Sequence, residues 1–137
     1  MFSTEMNSDL DIDMNGKAEV AQEIEDFIQD WHWSKKSHAY ARDLCKYLFQ
    51  FFNELEQQGL SEKTIRKHTD NCWHIGILEC QYGYRNKFVP GEVFYSPEAD
   101  YDYEFKRKVS DSAYAVNSYK STWRKIYKYT KTLGLIE

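Results

Sequence analysis

Residues 17–58 contain neither glycine nor proline, and the whole chain of 137 residues carries only 6 Gly and 2 Pro. A backbone with so few breakers cannot make the many tight turns of a β-sandwich, and it favours long helices. Trp, Tyr and Phe number 4, 11 and 8, or 17% of the chain. Rings in that quantity suit the interior of a bundle of helices. The length fits one domain, large enough to bury a core without staples.

Apolar spacing places the helices. Val20, Ile24, Phe27, Ile28 and Trp31 form one stripe, opposite Glu19, Glu23, Asp26 and Asp30. A second helix opens at Ser37 as N-cap and carries Tyr40, Leu44, Tyr47, Leu48, Phe51, Phe52 and Leu55 before Gly59 stops it. A stripe that wide needs more than one neighbour. Ser61 caps a third helix, with Ile65, Thr69, Cys72, Trp73 and Ile77 on its buried side and Leu78 on the far side. Gly83, Pro90, Gly91 and Pro97 punctuate the next stretch, and Ser96-Pro97-Glu98 reads as the start of a short helix ending near Val109. The last helix runs from about Asp111 to Leu133, with Val116, Tyr119, Trp123, Ile126, Tyr127 and Leu133 as its stripe and Gly134 as its stop. The expected fold is all-α. It is a helical bundle of four main helices plus a short helix, with an irregular or hairpin-like insertion near 83–97. The domain spans 17–137, after a flexible acidic tail over 1–16.

Several chemistries lack their residues. The three cysteines, Cys45, Cys72 and Cys80, have no CxxC spacing and are odd in number, against a disulfide framework. No apolar run approaches the ~20 residues that span a bilayer, and the polar N-terminus has no signal-peptide core. A cytoplasmic protein with reduced thiols, and no membrane partner, is the expectation. Asp11-Ile12-Asp13-Met14-Asn15-Gly16 begins like a calcium loop, but Gln22 stands where a bidentate carboxylate belongs and Glu23 falls one residue late. His68 and Cys72 share a helix face, while His74 points away and Cys80 completes no tetrahedral set. The alternating Asp100, Asp102 and Glu104 read as a wet helix start. Glycine-rich phosphate loops, HExxH and GxSxG are absent from the sequence. The chain is therefore expected to have no catalytic residue, no metal and no cofactor.

Charge placement is the strongest clue to function. Residues 1–31 hold nine carboxylates against Lys17. Residues 105–131 hold eight Lys and Arg against Asp111. Lys120, Arg124, Lys128 and Lys131 line one face of the last helix with no carboxylate four residues away. Such a ridge can track phosphates, dock the acidic first helix of this or another copy, or be a solvated face.

Gly59-Leu60-Ser61-Glu62-Lys63-Thr64-Ile65-Arg66-Lys67-His68 follows an aromatic helix ending in Phe51-Phe52-Asn53-Glu54-Leu55. Over residues 40–80 this resembles the N-terminal, SAM-like core-binding domain of tyrosine recombinases, in which a "GLS-x-x-T" segment opens the next helix. The resemblance implies a small helical bundle that clamps DNA, with Ser61, Lys63, Thr64 and Lys67 near the DNA backbone. It implies no recombination by this chain alone, which has no room for the catalytic domain. The reading ranked first is a non-catalytic helical interaction module with a protein partner or self-association. A DNA-binding accessory module of the recombinase-like kind is the alternative. Lys63, Thr64, Lys67, Lys120, Arg124, Lys128 and Lys131 are the expected contacts in either case.

Overall fold

The computed structural model describes residues 35–136 apart from Tyr84, together with Gln22, Glu25, Asp26 and Gln29. The acidic tail and the whole of the first apolar stripe, Trp31 included, lie outside the described residues. The fold is all-α: α1 (Lys35–Gln57), α2 (Glu62–Tyr82), the single turn α3 (Pro90–Val93), α4 (Asp102–Lys108) and α5 (Ala113–Thr132). No strand occurs among the described residues, so the insertion is irregular with one helical turn, not a hairpin.

α1 is buried along most of its length and packs chiefly on α2. Its predicted stripe is buried throughout, and Ala41, Cys45 and Phe49 join it. Only a narrow edge of Asp43, Lys46 and Gln50 stays exposed along its middle. The helix begins at Lys35, so Ser37 lies inside it and is not the cap. Gly59, with φ +76°, turns the chain into α2, a backbone region that glycine enters without steric cost. Ser61 caps α2 as expected, its hydroxyl accepting from the Thr64 amide at 3.1 Å. Leu78 is buried, contrary to the ideal-helix expectation, because α2 packs against α1, α4 and α5 at once. Trp73 is only half-buried.

The excursion between α2 and α5 contributes to the core. Phe88, Val93, Phe94 and Phe105 are buried. Phe94 lies against Trp123, with ring centres 5.1 Å apart, and Phe88 meets Tyr40 edge-on at 5.8 Å. The Trp123 indole N–H donates to the Ser96 carbonyl at 3.2 Å, and the Tyr119 hydroxyl donates to the Asp100 carbonyl at 2.7 Å. The short helix starts at Asp102 and not at Pro97. Ser96 instead closes a local turn by accepting from the Glu98 amide at 3.2 Å. Tyr101 then turns the chain with φ +67°, the one described non-glycine residue in that region.

α5 is capped by Ser112, which accepts from the Ala115 amide at 3.1 Å. It is helical from end to end, so Asn117 and Ser118 do not interrupt it. α5 runs antiparallel to α2, since His68 meets Thr122 while Asn71 reaches back to Ser118.

Candidate functional site

The ridge forms on α5 with its spacing intact, opposite the buried Tyr119, Trp123 and Ile126. Arg124, Lys128 and Lys131 are exposed. The Lys131 ammonium stands 5.9 Å from the centre of the Tyr127 ring. Lys120 departs from the expectation of a ridge without counter-ions. Asp102, in the first turn of α4, lies 3.5 Å from its ammonium and 3.0 Å from that of Lys106. The hydrogen bond from Lys106, helped by Lys120, holds the Asp102 carboxyl below the usual carboxylate range. The acid comes from another helix packed beside α5, which spacing within α5 could not reveal.

The α2 residues singled out in the sequence lie at its first two turns. Lys63 is exposed and Lys67 half-buried. The Thr64 hydroxyl accepts from Ser61 at 3.0 Å and is committed to the cap. The two helices meet along a polar seam. His68 Nδ1 and the Thr122 hydroxyl are 2.6 Å apart, and the Asn71 amide donates to Thr122 at 2.9 Å and to the Ser118 carbonyl at 3.1 Å. Burial pushes the His68 pKa down to about 4, and Lys67 from α2 and Lys125 from α5 add to that effect. Through the His68–Thr122 contact, the stretch of α2 that carries Lys67 lies against the stretch of α5 that carries Lys125.

The other two described ion pairs lie away from this face. Glu25 pairs with Arg42 of α1 at 3.1 Å, and Glu92 with Arg85 at 3.4 Å. Lys63, Arg66, Lys67, Arg124, Lys125, Lys128 and Lys131 make no ion pair among the described residues. The formal charge divides along the chain. Residues 35–137 hold 17 Lys and Arg against 13 Asp and Glu, a net of +4. Residues 1–34 hold Lys17 against nine carboxylates, a net of −8. Over residues 17–137 the 18 Lys and Arg are matched by 18 Asp and Glu, so the cations on α2 and α5 are a local concentration and not a net excess of the domain.

One buried carboxylate is committed to packing. Glu79 is 1% exposed and accepts from the Tyr40 and Tyr101 hydroxyls, each at 2.5 Å. Burial raises its pKa, against the lowering effect of the two hydroxyls and Arg85. The same burial, followed by the Glu79 charge, raises both tyrosines. This cluster fastens α1 and the end of the excursion to α2. Gly83 leaves room for it: a Cβ there would fall 2.0 Å from the Tyr101 hydroxyl and 2.6 Å from Glu79 Oε1. Gly83→Ala is expected to displace both hydrogen bonds and cost about 1–3 kcal/mol in urea unfolding. An unchanged unfolding midpoint would contradict that role.

Cys45, Cys72 and Cys80 are free thiols and buried. No three His, Cys, Asp or Glu residues converge to hold a metal among the described residues. Gln22, at the would-be twelfth calcium position, is helical, and its amide donates to Asp26 at 2.9 Å. No described helix is long and apolar enough to cross a membrane.

The chain matches no family model, no curated protein and no solved structure.

Sequence reasoning missed Lys125 and Glu79. Lys125 falls off the i, i+4 ridge and gains meaning only from the seam with α2. Glu79 did carry a signal, because Cys72, Ile75 and Glu79 follow one another at helical spacing on the buried side.

Proposed function

We propose that this chain is a non-catalytic helical interaction module that receives an anionic partner on its α2–α5 face. The observation that carries the reading is the set of cations without carboxylate partners on two helices joined at His68 and Thr122. Like charges held side by side repel one another, and a polyanion relieves that repulsion while releasing its own counter-ions. The non-catalytic part rests on the burial of His68, Glu79 and all three thiols. A protein partner or a second copy ranks first. Nucleic acid is the second reading, favoured by Lys63 and Lys67, which the recombinase resemblance also marks.

Fluorescence anisotropy with labelled poly-glutamate and with a short DNA duplex tests the proposal. At about 50 mM salt one of the two is expected to bind, and binding should weaken steeply as salt rises. Arg124→Glu combined with Lys128→Glu should abolish it with little change in melting temperature, because exposed charges add little to stability. Absence of binding to either polyanion at low salt would refute the proposal.

A further inference from the structure

We infer that the groove between the C-terminal parts of α1 and α5 takes a large apolar side chain from an acidic polypeptide partner; this rests on the reading of the basic face and specifies its occupant. The groove encloses about 180 Å³. Its apolar lining is Phe51 and Leu55 from α1, Tyr129 from α5 and Leu133 just past the end of α5, and Lys125 and Lys128 stand beside them. Phe51 and Leu55 are each 1% exposed, so its wall is part of the core, while Leu133 is 47% exposed and extends it outward. The one carboxylate lining it, Glu54, already accepts from the Gln58 amide at 3.2 Å.

The surface therefore offers two kinds of interaction within a few side chains: an apolar recess and unpaired ammonium groups. A DNA duplex presents phosphates on the outside and stacks its bases within, so it satisfies the lysines and leaves the recess empty. A polypeptide can place carboxylates on the lysines and an adjacent leucine or phenylalanine in the recess. Such an anchor adds affinity that salt does not screen.

The test compares two labelled peptides of equal length, one all glutamate and one with a single central leucine. The leucine peptide is expected to bind about tenfold more tightly or better, as burial of one such side chain implies. The advantage should persist at high salt. Leu133→Ser should shrink the ratio between the two peptides. Arg124→Glu with Lys128→Glu should weaken both. Equal affinities, with the all-glutamate peptide still binding, would overturn the groove assignment and leave the basic face standing. Binding of neither peptide would remove the reading beneath it. Tighter binding of a single-stranded or duplex oligonucleotide than of the leucine peptide would also overturn the assignment.

Discussion

Trp123→Ala is expected to destabilise the fold by about 3–5 kcal/mol, the range for deleting a buried large aromatic side chain. Trp123 is 1% exposed and is the largest fully buried side chain among the described residues. Its ring meets Phe94 at 5.1 Å, Tyr101 at 6.3 Å and Tyr119 at 6.4 Å, so one deletion empties space shared by α5 and the excursion. The indole N–H also holds the Ser96 carbonyl. Trp123→Phe keeps part of the packing and loses only that bond together with some volume, so its cost should be clearly smaller. Urea unfolding of both variants checks the order. A loss below about 1 kcal/mol for the alanine variant would mean that the excursion does not share this core.

Acid is expected to destabilise the protein through His68. The side chain is 1% exposed and bonded to Thr122, and its pKa is held near 4 by burial first and the two lysines second. An unfolded histidine titrates near 6.5. Above that pH the imidazole is neutral in both states and its contribution is complete. As pH falls from about 6.5 to 4, the unfolded chain binds a proton that the folded chain refuses, and stability drops. Below about 4 the loss levels off at roughly 3 kcal/mol. Glu79 acts in the opposite sense. Its raised pKa makes the folded state hold a proton longer than the unfolded one, so its contribution is lost as pH rises from the ordinary glutamate range through the raised value. The two effects separate by mutation. His68→Gln should remove most of the decline between pH 7 and 4.5 in urea unfolding. Parallel pH curves for the parent and His68→Gln would contradict the assignment.

The parts of the fold legible in the sequence are those fixed within a few residues. The α1 stripe, the Gly59 turn and the Ser61 cap each depend on neighbours along the chain. The excursion was not legible in that way. Phe88, Val93, Phe94 and Phe105 enter the core through contacts with helices far away in sequence, and no local period marks them. Ser96-Pro97-Glu98 carries a cap signal that a plain turn shares, and the hydrogen bond from Glu98 to Ser96 serves the turn here. The basic ridge was legible as a spacing on α5. Its limit at Lys120 and its extension through Lys125 to Lys67 were not, because both depend on which helix lies alongside.

The most direct test of the central claim, that the joined basic side of α2 and α5 is the binding surface, is amide chemical-shift mapping during titration with the leucine-bearing glutamate peptide at low salt. The largest changes are expected at Lys63, Lys67, Lys125, Lys128 and Thr132, fading as salt is raised. Changes confined to α4 and the exposed Tyr103 and Tyr114, or none at all, would contradict it.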